Sequence, residues 1–179
     1  MTAVPVEAKP ADRVRWACRH WGEAELVRSC AEILRGGPGP EGDLLRCLGG
    51  VSAVTMTERG LDLVYWPAVW AARSLLYAWR EEAAPAVVVA LAHPAWRVRE
   101  MAAKVCALRE VGAAADALGG LLTDPVPRVR AAAARALARV GEAEHADGLR
   151  ALDADEDPTV RQRGAQALSQ LAARLDRPV

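Results

Sequence analysis

The sequence lacks phenylalanine altogether, and Lys9 and Lys104 are its only lysines, so arginine carries nearly all of its positive charge. Acidic and basic residues balance at 23 each, and a zero net charge gives no long-range attraction to a polyanion or an acidic membrane. The most apolar stretch, residues 83–92, is too short to span a bilayer as a helix. No apolar run follows a basic start at the N-terminus, which argues against a signal peptide. We therefore expect a cytoplasmic protein that binds no membrane.

Patterns that carry catalysis or metal binding are missing as well. The four cysteines form no Cys-x-x-Cys pair and predict buried thiols in a reducing compartment. The three histidines have no cysteine or carboxylate at metal-ligand spacing, and no serine lies in a nucleophile elbow. No glycine-rich loop follows a strand pattern. We predict no catalytic residues, no metal and no cofactor, and a non-enzymatic role is favoured.

What the sequence does contain is a repeat. Val-Arg pairs fall at 98–99, 129–130 and 160–161, a constant period of 31 residues. A proline precedes each pair by a few residues, and an alanine-rich stretch with helical spacing follows it. A fixed period of this length is typical of a helical solenoid. Such proteins usually bind partners along extended surfaces, which favours binding over chemistry.

Proline in a first turn and glycine after a last turn predict where the helices begin and end. We expect one all-α domain over residues 1–179, an α-solenoid of four to five helical pairs that ends in a lone C-terminal helix. Its parts are a degenerate repeat at 11–35, an irregular insertion at 36–64, repeats at 66–92, 95–122 and 126–152, and a terminal half-repeat at 158–175. The first helices of the last three parts are expected at 96–109, 127–140 and 158–175.

The pattern Asp-Pro-x-x-x-Val-Arg at residues 124–130, followed by Ala133, Ala134 and Leu137, resembles HEAT repeats of the short, phycobilisome-lyase-like kind. The resemblance covers residues 66–175 well and 11–35 weakly. It implies an all-helical scaffold that binds other proteins. In such repeats, the Asp before the first helix and the Arg after the Val form a ladder between neighbouring units. The residues that the resemblance places in a structural ladder are Arg99, Asp124, Arg130, Asp155 and Arg161.

The unit at 66–80 departs most from the repeat. Trp70 stands where the ladder arginine should be, and Trp66, Trp70, Arg73 and Tyr77 form one stripe at helical spacing. Together with Trp96 and Arg97 of the next unit, these residues are the candidate binding site, because aromatic rings and arginine grip planar or anionic groups. The alternative is packing, in which the stripe fills space beneath the 36–64 segment. Arg73 would then need a partner such as a carboxylate at position 62, 81 or 82.

Two kinds of partner follow from these patterns. Residues 83–92 are apolar on all sides and are either buried or face a partner, which is another protein or a second copy of the chain. The main functional prediction is a protein-interaction scaffold or a supporting subunit of an enzyme complex. Nucleic acid is the alternative, because basic side chains recur at the repeat period and some alkylpurine DNA glycosylases resemble stacks of HEAT-like pairs. The recurring residues are Arg97, Lys104, Arg128 and Arg135.

Overall fold

A computed structural model describes residues 3–176, and this part of the chain consists of helices and turns without a strand. The observation confirms the predicted all-α, helical-repeat fold. The chain divides into two compact units, the first ending at Val89 and the second beginning at Ala90. Each unit has its own buried core.

The first unit contains the two predicted N-terminal helices and two more in the 36–64 segment. Helix α5 (Trp66–Ser74) ends before the end of the divergent unit at residues 66–80. The Ser74 hydroxyl donates a hydrogen bond to the Trp70 carbonyl (2.9 Å), a bond that competes with continuation of a helix. The helices are α1 (Pro10–Trp21), α2 (Glu23–Leu34), α3 (Gly42–Gly49), α4 (Val51–Glu58), α5 (Trp66–Ser74) and α6 (Ala84–Ala90).

A buried arginine fixes the corner between α3 and α4. The Arg13 guanidinium donates to the carbonyls of Ala8, Cys47 and Leu48, and the residue is only 5% exposed. The last carbonyls of a helix have no partner within the helix and carry partial negative charge, so a guanidinium stabilises them. Gly50 follows with φ +60°, and a Cβ there would lie 2.6 Å from the Arg13 guanidinium. Only glycine fits this corner.

The second unit has two layers. The long helices α7 (Trp96–Arg109), α9 (Pro127–Val140) and α11 (Pro158–Leu175) lie side by side, with α9 in the middle. The short helices α8 (Ala115–Gly120) and α10 (Ala146–Ala151), each flanked by 3₁₀ turns, form the other layer. The three long helices begin and end at the residues that the proline and glycine pattern indicates.

The repeat period sets the core of this unit. Val98, Val129 and Val160 occupy the same position of successive repeats, and none has any exposed surface. Four residues later the repeats carry small side chains, Ala102, Ala133 and Gly164. A Cβ on Gly164 would lie 2.7 Å from the Leu152 Cβ. Small residues at this position therefore allow the two layers to approach closely.

Arginine and aspartate side chains join neighbouring repeats along one edge. Arg99 donates through Nε and Nη2 to the Asp124 carboxylate (2.7 and 3.1 Å), and Arg130 donates in the same way to Asp155 (2.7 Å for both bonds). The remaining Nη1 of Arg130 donates to the Asp124 carbonyl (2.8 Å). Arg161 likewise donates to the Asp155 carbonyl (2.7 Å), but no carboxylate within residues 3–176 pairs with it. We call these five residues the ladder.

The ladder makes stability depend on pH. Hydrogen bonds from Arg130 hold the pKa of the Asp155 carboxyl below its ordinary value. The folded state therefore favours the charged carboxylate, and this contribution is complete above about pH 4, the usual pKa of an aspartate in an unfolded chain. It is lost as the pH falls through the lower pKa of the folded state.

We expect the difference in unfolding free energy between the wild type and Asp155→Asn to be constant from about pH 7 to pH 5 and to shrink below about pH 4. Urea denaturation of both proteins at stepped pH measures this difference. A difference that persists unchanged to about pH 2 would contradict the role given to Asp155.

Candidate interaction surface

The aromatic stripe on α5 is largely packed inside the first unit. Trp70 is 2% exposed, and a Cβ on Gly49 would lie 2.7 Å from its ring, so the indole lies against the last turn of α3. The Trp66 ring is stacked on it, with 6.1 Å between ring centroids. Tyr77 lies beyond the end of α5 and is 48% exposed. Of the stripe, Tyr77 is the most accessible to a partner.

Arg73 takes part in the same packing. Its Nη2 donates to the Leu48 carbonyl (3.0 Å), the same acceptor that Arg13 uses, rather than to one of the carboxylates suggested from sequence. Burial and the nearby Arg13 charge lower the pKa of Arg73. The end of α3 thus holds two guanidinium groups on backbone carbonyls. The packing interpretation accounts for both Trp70 and Arg73.

The first unit contains three free cysteines, of which Cys30 and Cys47 are buried in the core and Cys18 is half-buried. Burial raises the pKa of the Cys47 thiol to about 11 and raises that of Cys30 as well. Burial and the Glu23 carboxylate raise the pKa of Cys18. Thiols that stay protonated at neutral pH are poor nucleophiles and poor metal ligands. Within residues 3–176 no cluster of three histidine, cysteine or acidic side chains could hold a metal ion.

Trp96 lies on the surface of the second unit between two arginines. It is the first residue of α7 and is half-buried. The guanidinium carbon of Arg97 lies 4.4 Å from the centre of its ring, and that of Arg128 lies 5.4 Å away. Both distances fall within the range of cation–π attraction, which favours this orientation of the indole. The ring is therefore a partly accessible aromatic group with positive charge beside it.

The buried carboxylate of Glu100 on α7 pairs with Arg128 of α9, the same arginine that lies beside the Trp96 ring. Glu100 is 7% exposed and accepts hydrogen bonds from Lys104 Nζ (2.8 Å) and Arg128 Nε (3.1 Å). Its charge is thus offset from two sides, which a buried carboxylate requires. Glu100 is not among the residues predicted for the site, although a Glu-Lys pair four residues apart on a helix is visible in the sequence.

A groove of about 260 Å³ runs along the long-helix layer beside Glu100. Pro127, Ala131 and Ala132 contribute apolar surface. The charged side chains that line it are Glu100, Lys104, Arg128, Arg135, Asp157 and Arg163. The sequence indicated three of these, Lys104, Arg128 and Arg135, as basic residues that recur at the repeat period. It did not predict Arg163 or Asp157, because their approach depends on how α11 packs against α9.

The six candidate binding residues fall into two groups. Trp66, Trp70, Arg73 and Tyr77 belong to the first unit, while Trp96 and Arg97 belong to the second. Within its own unit, Trp96 contacts Arg128, which the sequence indicated only as a recurring basic residue.

The match to a known protein family lies mostly in the second unit. Residues 84–169 match the family model for HEAT repeats. Residues 84–169 therefore belong to the HEAT-repeat family. Among solved structures, the crystal structure of an engineered protein is 23% identical, with a TM-score of 0.48, over 91% of this chain and 79% of that one. No curated protein matches the sequence. No helix within residues 3–176 has the length and apolarity needed to cross a membrane.

The arginines of the HEAT repeats serve two different purposes. The guanidinium groups of the ladder residues Arg99 and Arg130 donate hydrogen bonds to carboxylates and backbone carbonyls within the repeats. Arg135 and Arg163 of the groove form no ion pair within residues 3–176, and Arg163 has only a hydrogen bond to the Gln166 side chain (2.8 Å). The ladder arginines Arg99 and Arg130 thus already pair with carboxylates of this chain, whereas Arg135 and Arg163 of the groove can pair with the carboxylates of a ligand.

Proposed function

We propose that this HEAT-repeat protein is a non-catalytic interaction module that binds another protein, as a scaffold or as a supporting subunit of an enzyme complex in the cytoplasm. The observation that carries the proposal is Trp96, a half-buried indole held between the guanidinium groups of Arg97 and Arg128. Tryptophan and arginine are the residues most enriched in interface hot spots. HEAT repeats commonly act through extended surfaces rather than through catalytic sites.

Trp96 is a better anchor than Trp70 because it keeps surface that a partner can bury. Trp70 already has its surface covered inside the first unit, so binding a partner would bring no further burial of its ring. Trp96 keeps exposed surface, and its neighbours favour its orientation, which lowers the entropy cost of binding. Two other aromatic residues of the α5 stripe keep accessible surface: Trp66 is half-buried like Trp96, and Tyr77 is 48% exposed.

A second copy of the chain is one partner that the proposal includes. Helix α6 buries Ala86 and Val87 but leaves Val89 56% exposed. An exposed valine next to buried ones provides some apolar surface for self-association. Sedimentation of the purified protein over a range of concentrations separates a homodimer from a module that binds other proteins.

Copurification from the native cell tests the proposal. We expect a tagged wild-type chain to retain a specific protein partner, and Trp96→Ala to lower its recovery by about tenfold or more, as expected for a hot-spot residue. Tyr77→Ala is the matched control, since it removes an exposed aromatic from the other unit. Far-UV circular dichroism checks that both variants remain folded.

Two results of the copurification experiment would contradict the role given to Trp96. If Tyr77→Ala loses the partner and Trp96→Ala keeps it, the interaction surface lies on the first unit. If neither wild type nor variants retain any protein, the proposal of an interaction module is wrong.

A further inference from the structure

The acidic side chains that line the groove already have hydrogen-bond partners, whereas two of the basic ones form no ion pair within residues 3–176. Glu100 is offset by Lys104 and Arg128. Asp157 caps the start of α11, where its Oδ1 accepts hydrogen bonds from the Thr159 and Val160 backbone N–H groups (2.7 and 3.2 Å). Both carboxylates therefore already have partners.

The cations outnumber these carboxylates. Four basic and two acidic side chains line the groove, which leaves two positive charges in excess. Lys104 and Arg128 share the one carboxylate of Glu100. Arg135 and Arg163 are the two lining cations that form no ion pair within residues 3–176. They extend from α9 and α11 and line the same groove. A ligand with two carboxylates would supply the charge that the groove lacks.

We propose that this groove binds an acidic peptide segment of a protein partner, with Arg135 and Arg163 pairing with its carboxylates. The inference rests on the proposed function and specifies the chemistry of the partner. Arginine suits the role because its planar group bonds a carboxylate through two parallel N–H donors. The apolar surface of Ala131 and Ala132 would contact the methylene groups of the acidic side chains.

The size and charge of the groove favour a peptide over a nucleic acid. A volume of about 260 Å³ accommodates a few side chains rather than a folded domain. A phosphate backbone binds through many basic contacts, and here it would approach the carboxylates of Glu100 and Asp157. The acidic side chains of a peptide are separate groups, so they can pair with Arg135 and Arg163 without approaching Glu100 and Asp157.

Fluorescence anisotropy with a fluorescein-labelled oligoglutamate peptide tests the inference. We expect the wild-type protein to bind this peptide at low salt and not to bind an oligoglutamine peptide of equal length. Arg135→Glu combined with Arg163→Glu should weaken binding by about tenfold, from the loss of two ion pairs and the added repulsion. The matched control is Arg15→Glu with Arg28→Glu, which makes the same change in net charge at exposed arginines of the first unit.

Four other outcomes would overturn either the inference or the proposed function on which it rests. Equal weakening by both double variants would show a general effect of net charge. Tighter binding of a labelled DNA duplex, weakened by the same groove variant, would make the groove a nucleic-acid surface. If oligoglutamate does not bind while Trp96→Ala still abolishes copurification, the interaction module stands and the acidic peptide is wrong. If oligoglutamate binds through the groove but no protein copurifies, the proposed function is wrong.

Discussion

Replacing Arg130 by methionine should lower the free energy of unfolding of the second unit by about 2–3 kcal/mol. The substitution removes both bonds to the Asp155 carboxylate and the bond to the Asp124 carbonyl. It leaves Asp155, whose side chain is only 8% exposed, without its counter-charge between two repeats. Methionine keeps much of the arginine stem, so the loss reports on charge and hydrogen bonds rather than on packing. Urea denaturation followed by circular dichroism measures the change.

Arg161→Met is the matched control for this prediction. Arg161 occupies the same position of the repeat, but it bonds only to the carbonyls of Asp155 and Glu156 within the described residues. We expect a loss below about 1 kcal/mol, as for ordinary neutral-acceptor hydrogen bonds at a surface. Combining Arg130→Met with Asp155→Asn should cost less than the sum of the two single changes, because the second removes the unpaired charge. Equal losses at Arg130 and Arg161 would show that the ladder carboxylates contribute little.

Gly49→Ala should destabilise the first unit by about 3 kcal/mol, at the upper end for adding one methyl group to a core. The new Cβ would overlap the Ala53 Cβ and would lie 2.7 Å from the Trp70 ring. Because Trp70 is buried, its ring cannot move aside without opening the contact between α3 and α5. Chemical denaturation measures the cost, and tryptophan fluorescence should report the displaced indole.

Gly39→Ala provides the comparison for Gly49→Ala. A Cβ at Gly39 meets no atom within 4 Å, and its φ is not in the left-handed region. We expect a neutral or slightly stabilising effect, since alanine restricts the unfolded chain more than glycine does. A Gly49→Ala protein as stable as Gly39→Ala would mean that the α3–α5 contact adjusts freely. The packing role given to Trp70 would then be wrong.

The long helices of the second unit could be predicted from sequence because their ends are marked locally. Pro127 and Pro158 lie at the first helical positions of α9 and α11, and Gly141 follows the end of α9. The end of α5 carries no such mark, since a serine bonding back to its own helix looks ordinary in sequence. Helix ends without proline or glycine depend on tertiary contacts that a repeat pattern does not contain.

The candidate site was less predictable, because it depends on which side chains approach one another across helices. Trp70 was identified as unusual, but its burial follows from the close approach of α3 and α5 at Gly49. In the N-terminal repeat, Arg15 follows Val14 as the ladder arginines follow their valines. Arg15 instead pairs with Asp12 at the surface, and its neighbour Arg13 is the buried one. Arg13 and Arg15 lie on different faces of α1, because a shift along a helix changes the direction of the side chain. Which of the two becomes buried is decided by packing.

The ladder also sets the length by which this protein can be shortened without leaving an unpaired charge. Each bonded arginine and aspartate are separated by 25 residues, while the repeats recur every 31. Deleting residues 100–130, one whole period, would place Arg99 the same 25 residues before Asp155. The two side chains would then meet in the geometry that their former partners had. Deletions of any other length would leave the carboxylate and the guanidinium out of register, so whole repeats are the units by which such a chain can be lengthened or shortened.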